Sequence, residues 1–280
     1  MILIADSGSS KTDWAIVDGK EKHLYKSLGL NPYFLLWNEI HAEIRKVLDG
    51  QFDFAKVDQV FFYGSGCTGD AQVEKVKLAL KQCFVNADLV VDSDIYGAIQ
   101  ATTNNSAGIV SILGTGTNSC YFDGEKISRH STSLGYLLGD EGSGTWLGRE
   151  LIRAFAYNEL PETIHSKFVA EYQITIGQLK REVYQLPKPN TYIASYAPFL
   201  KKHLDNPFIY SLVKKSFSFF YEKHLSKLID DKDVPFHFVG SIAYQFQDVL
   251  KEVLVENEAR IGNIVAKPIE GLLKSSILNN

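Results

Sequence analysis

One pattern occurs twice in this chain, and it limits what the chain can fold into. The apolar run 2–5 enters the loop Asp6-Ser7-Gly8-Ser9-Ser10-Lys11-Thr12, the run 14–17 follows, and Asp18-Gly19 turns the chain. About one hundred residues later the run 109–113 enters Gly114-Thr115-Gly116-Thr117-Asn118-Ser119, the run 120–122 follows, and Asp123-Gly124 turns it again. Each copy reads as two strands joined by a loop with more small residues than a two-residue hairpin needs. A repeated supersecondary unit of this size predicts a duplicated domain.

The rest of the chain agrees with an α/β class. Apolar runs at 60–63 and 89–91 alternate with helical stripes, Leu36, Ile40, Ile44 and Leu48, then Val73, Val76, Leu80 and Phe84. Beyond Gly144 the pattern turns helical, with Leu147, Leu151, Ala154 and Phe155 on one face. Thr175 with Gln178 predicts a capping box, and Pro187 and Pro189 interrupt the helix it opens. A core stripe runs from Ile209 to Ile229. A strand at 235–239, a helix at 243–255, a strand at 264–266 and a helix at 270–278 follow. The expected lobes are residues 1–105 with 266–280, and residues 106–265.

At 280 residues and 45% hydrophobic, the chain can fill two cores. Its net charge of −4 leaves no basic face for nucleic acid, so a small molecule is the expected partner. The opening apolar run stops at Asp6, short of a secretion signal, and no stretch approaches the ~20 apolar residues that span a bilayer. Cys67, Cys83 and Cys120 lack the paired spacing of a disulfide framework or zinc site, which points to the reducing cytoplasm.

The two loops have phosphate-binding chemistry. Gly8, Gly114 and Gly116 let the backbone approach an anion so that successive N–H groups point at its oxygens. Ser9, Ser10, Thr12 and Thr115 add hydroxyl donors, and Lys11 adds positive charge. Asp6, at a strand end, suits Mg²⁺, which prefers carboxylate and water oxygens. Gly240-Ser241 forms a third strand-to-helix corner. Asp94 follows a strand and heads a helix, where aspartate commonly serves as an N-cap.

The order and spacing of Asp6 to Thr12, Gly114 to Asn118 and Val239-Gly240-Ser241 resemble the phosphate and adenosine motifs of the actin/hexokinase/Hsp70 superfamily. Gly139-Asp140-Glu141-Gly142-Ser143 is similar to the sugar loop of N-acetylglucosamine kinase-like members of the benzoyl-CoA-reductase-activator ATPase family. The resemblance covers nearly the whole chain. It departs at Ser7 and Ser9, where the family motif carries glycine. It implies an actin-like, ribonuclease H-like fold of two lobes with a nucleotide cleft, ATP and Mg²⁺, a homodimer, and phosphorylation of an amino sugar. Asp94, in Asp94-Ile95-Tyr96-Gly97, matches the catalytic base. Asn31, Thr117, Asn118, Gly135 and Asp140 match sugar contacts, and Gly240 with Ser241 matches the adenosine contact. Set apart from the resemblance, Asn31 reads as a turn residue before proline, and Asp140 as a cap for the helix from Ser143.

Two other functions remain open at this level. Gly64-Ser65-Gly66-Cys67-Thr68-Gly69 is a literal dinucleotide fingerprint after a strand, with Asp88 and Asp92 downstream, as in an NAD-binding oxidoreductase. The activator ATPases instead drive a protein partner through an iron–sulfur cluster, and these three cysteines lack that pattern.

Overall fold

Each copy of the repeat builds a five-stranded sheet, and the two sheets share one topology. In the first, β1 (Ile2–Ser7), β2 (Lys11–Asp18), β3 (Glu21–Leu28), β4 (Gln59–Gly64) and β5 (Asp88–Ser93) lie in the order β3-β2-β1-β4-β5. In the second, β6 (Gly108–Leu113), β7 (Thr117–Phe122), β8 (Ile127–His130), β9 (Phe236–Val239) and β10 (Ile261–Val265) lie in the order β10-β9-β6-β7-β8, the same arrangement counted from the other edge. β1 pairs antiparallel with β2 and parallel with β4. β6 does the same with β7 and β9. Tight loops join the antiparallel strands, whereas the parallel pairs need helical crossovers. This is the duplicated two-sheet α/β arrangement that the resemblance implies.

The computed structural model describes residues 1–228 and 233–275. The chain divides into a first unit, Met1–Asn105 joined by the segment from Lys267, and a second unit, Ser106–Ala266. Ile229 of the core stripe and the far end of the 270–278 helix lie outside the described residues.

In the first unit, α1 (Trp37–Leu48) and α2 (Asp70–Cys83) cover one sheet face. They bury Ile40, Ile44, Leu48, Val76 and Leu80 against Leu3, Trp14 and Phe62. α3 (Asp94–Thr102) precedes the second unit, and α13 (Pro268–Leu272) returns to bury Ile269 and Leu272 against Ile4, Ala15 and Tyr63.

The second unit carries α4 (Gly135–Leu138), α5 (Gly144–Ala156), α6 (Glu162–Tyr172), α7 (Ile176–Gln185), α8 (Pro189–Ala194), α9 (Ala197–Lys202), α10 (Pro207–Lys223), α11 (Ser241–Gln245) and α12 (Gln247–Glu256). α5, α10 and α12 share a core with Phe236 and Phe238 of β9. The capping box is in place: Gln178 N–H donates to Thr175 Oγ1 at 3.3 Å, and Thr175 N–H to Gln178 Oε1 at 2.8 Å. Pro189 starts α8 from its first turn, where its missing N–H costs nothing.

Two expectations change. β3 and β8 are strands that hydrophobic pattern did not mark, because both are sheet edges with exposed charged or polar positions, such as Glu21, Lys22, Ser128 and His130. The helix expected at 243–255 breaks at Phe246, which is buried with φ −106° and ψ 22°.

Candidate functional site

In the first unit the ladder between β1 and β2 continues to Ser7 opposite Thr12, so the loop narrows to Gly8, Ser9 and Ser10. Gly8 N–H donates to Lys11 O at 2.9 Å and closes the turn, with Ser9 exposed beside it. Lys11 Nζ lies 3.4 Å from the Asp13 carboxylate. The Asp6 carboxyl is pushed up to about 7, by burial first, then by the charges of Asp94 and Asp13, with Lys11 opposing. Asp6 and Asp94 therefore feel one another directly. A hard divalent cation beside these carboxylates would relieve that repulsion.

Two first-unit expectations are corrected. Thr12 was expected to offer its hydroxyl to phosphate, but the side chain is fully buried and Oγ1 lies 2.9 Å from both Ser7 Oγ and Leu28 O. Asp94 is not a cap: β5 stays extended through Ser93, which takes the N-cap position, and Asp94 is the first helical residue.

Asn31 is held in place by its neighbours. Its Oδ1 accepts from Tyr33 N–H at 2.9 Å. Gly66, at φ +87°, makes room for it, since a Cβ there would lie 2.4 Å from Asn31 Oδ1. Lys75, on α2, donates to the carbonyls of Pro32 and Leu35 in the same segment. This also disposes of the dinucleotide reading. The 64–69 loop packs on Asn31, and its sheet is antiparallel on one side of β1, not doubly wound and parallel.

In the second unit Gly114, Thr115 and Gly116 form the loop between β6 and β7, resting on the start of α5. Gly114 O accepts from Gly144 N–H at 2.8 Å, and Thr115 O accepts from the Thr145 hydroxyl at 2.6 Å. Ser143 caps α5, its Oγ accepting from Trp146 N–H at 3.0 Å, so the cap reading of Asp140 also falls. Asp140 adopts φ +60°, and its carboxylate accepts from Thr117 N–H at 3.3 Å. A Cβ on Gly116 would lie 2.8 Å from Asp140 Oδ2. Burial pushes the Asp140 carboxyl up, and the Thr117 N–H partly offsets this. The Thr117 hydroxyl itself is buried with no hydrogen-bond partner. Asn118 is half-buried on β7 and Gly135 opens α4 at φ +71°.

Gly240 has a structural part besides the one its motif suggested. At φ +118°, its absent side chain would meet Leu113 O at 2.4 Å, so this glycine lets α11 approach the strand that feeds the second loop. Ser241 is exposed at the start of α11. Sequence reasoning missed His224: its Nε2 lies 3.0 Å from Glu141 Oε2, and its Nδ1 pairs with Ser131 Oγ. No local signal marks a contact between residues 83 positions apart.

No family model matches the chain. An N-acetyl-D-glucosamine kinase of Dictyostelium discoideum is 31% identical over 166 residues, 53% of this chain and 51% of that protein. The chain thus spans about half the length of the curated relative it matches. A solved structure of a candidate N-acetylglucosamine kinase from Porphyromonas gingivalis is 37% identical with a TM-score of 0.93, covering 100% of this chain and 99% of that one. This chain belongs to the N-acetylglucosamine kinase-like family. A glucokinase of the ROK family from Streptomyces griseus shares the fold, at 15% identity and a TM-score of 0.60 over 99% of this chain and 98% of its own.

Proposed function

We propose that this chain is an ATP-dependent kinase that phosphorylates an amino sugar, N-acetylglucosamine, on its 6-hydroxyl. The observation that carries the reading is the bond from Thr117 N–H to the Asp140 carboxylate, which joins the glycine–threonine loop to the loop resembling a sugar site. The family membership supports the same substrate class.

Phosphoryl transfer asks a protein chiefly for positioning and for stabilisation of charge on the phosphate oxygens. In the first unit, Ser9, Ser10 and Lys11 supply N–H groups, hydroxyls and a cation for that purpose, and Gly8 closes the turn that presents them. In the second, Gly114, Thr115 and Gly116 supply amides and a hydroxyl, and Gly240 and Ser241 line the adenosine. Asp94 takes the proton from the accepting hydroxyl at its carboxylate. Asn31 donates through Nδ2 to a sugar oxygen, and Asp140, Thr117, Asn118 and Gly135 hold the remaining polar groups. Asp6 holds Mg²⁺, which would offset the phosphate charge. Thr12 acts through its buried bonds. The enzyme works as a cytoplasmic homodimer. Among the described residues no helix is long and apolar enough to cross a membrane.

The test is ADP release from Mg²⁺-ATP, coupled to a chromogenic readout, over a panel of amino sugars. N-acetylglucosamine is expected to give the highest kcat/KM, and its 6-deoxy analogue none. No release above background with any amino sugar would overturn the reading.

A further inference from the structure

Ser7 stands where the resembled motif carries glycine, and its side chain has a defined task here. It is 1% exposed, and Thr12 across the ladder is 0% exposed. Leu30 N–H donates to Ser7 Oγ at 3.0 Å, and the Ser7 and Thr12 hydroxyls are 2.9 Å apart. Thr12 Oγ1 also lies 2.9 Å from Leu28 O. Leu30 N–H donates to Ser7 Oγ, and the Thr12 hydroxyl, with Ser7 Oγ and Leu28 O both within reach, shares its one proton between them.

Both ends of this relay anchor the segment that carries Asn31. Gly29, between them, lies so close to the phosphate loop that a Cβ would be 2.4 Å from Gly8 O and 2.7 Å from the Ser9 carbonyl carbon. On its other side Ser7 O accepts from Ser65 N–H at 2.7 Å, and Gly66 of that loop packs against the Asn31 carboxamide. Ser7 therefore sits where the phosphate loop, the Asn31 segment and the 64–69 loop meet, with a bond into each. A shift of the 8–10 turn towards residues 28–31 is resisted at the Gly29–Gly8 contact, and a shift of its base is passed on through the Ser7 and Thr12 hydroxyls.

We infer that Ser7 is a positioning residue that couples nucleotide binding to sugar binding through the Ser7–Thr12 hydroxyl relay. The inference rests on the proposed kinase function. It predicts that an occupied phosphate loop makes Asn31 a better sugar ligand, and reciprocally, because a coupling free energy acts equally on both ligands.

The experiment is calorimetric titration of N-acetylglucosamine with and without a non-hydrolysable ATP analogue and Mg²⁺, on wild type, Ser7→Ala and Ser7→Gly. In wild type the analogue should tighten sugar binding by a factor within the usual roughly 5–150-fold range for coupled sites. In Ser7→Ala and Ser7→Gly that factor should fall to within about twofold of unity, with analogue affinity alone changed less than about threefold. A merely structural role would weaken both ligands or lower the melting temperature while keeping the ratio. A ratio kept in either folded variant overturns the relay and leaves the kinase reading standing. A wild type that binds neither ligand overturns the kinase reading, and the relay with it.

Discussion

Asp94 and Asp6 show how much a single carboxylate's neighbours decide. Asp94 is the first residue of α3 after Ser93, and asparagine keeps its shape and its place at the helix start while removing the carboxylate. Asp94→Asn should therefore keep the melting temperature within about 1 °C while turnover falls by roughly 10²–10⁴-fold, the range for loss of a general base. Near-normal turnover in a folded Asp94→Asn protein would remove it from the mechanism. Asp6 makes a pH prediction. Its folded pKa, about 7, lies above the unfolded value of 3.8, so its protonated form is favoured by folding and its contribution is lost as pH rises through 7. A cation needs the carboxylate and competes with that proton, so Mg²⁺ binding should tighten on going from pH 6 to pH 8, by up to about tenfold. Titrating Mg²⁺ against thermal stability at the two pH values measures this. Asp6→Asn should abolish both the binding and its pH dependence.

At the scale of elements, the second loop is positioned by backbone contacts more than by its own side chains. It rests on the start of α5 and is met from β9 by Gly240. Gly240→Ala asks a residue with a Cβ to hold φ +118° and to occupy space 2.4 Å from a main-chain oxygen that cannot swing aside. The backbone strain alone should cost on the order of 1–3 kcal/mol, read as a fall in denaturant midpoint at constant slope. Ser143→Ala loses only the cap of α5, and about 1 kcal/mol is expected. If Gly240 acted only at adenosine, its alanine variant would keep its stability and lose only nucleotide affinity.

Over the whole molecule the two units should respond to acid in opposite directions. His237 lies buried in β9, its Nδ1 accepting from Asn263 N–H at 3.0 Å, while its Nε2 is buried with no partner. Burial, with Arg260 adding to it, lowers its pKa to about 4. The folded state keeps this histidine neutral where the unfolded chain takes a proton. It therefore costs nothing above pH 6.5, and stability is lost as pH falls from 6.5 towards 4, on the order of 2 kcal/mol by pH 5. Asp6, in the first unit, gains stability over the same fall. Because the Asp6 gain offsets the loss in wild type, the readout is the difference: on going from pH 7.5 to pH 5 the urea midpoint of His237→Gln should move upward relative to that of wild type, by about 2 kcal/mol of stability. Equal pH dependence in both proteins would exclude His237 as the cause.

The duplicated sheet was legible in the sequence because periodicity and small-residue loops are local. The runs that became β1, β2, β6 and β7 announce themselves, as do the stripes of α1 and α2 and the capping box of α7. β3 and β8 were not legible, because an edge strand is defined by pairing with its neighbour, and its exposed charges read as loop. The glycine-rich loops and Asp6 were also picked out by residue type and spacing, and Asp94 and Asp140 by the family resemblance. What each of them touches was decided only by tertiary structure. Thr12 turned from a donor for phosphate into a link in a buried relay, and Gly66 from a dinucleotide fingerprint into a seat for Asn31. Gly240 became a point of backbone contact, and His224 reached Glu141 without any local sign. A sequence records which chemical groups are present and the local conformations they favour. Hydrogen bonds and burial between distant segments exist only once the chain has brought those segments together.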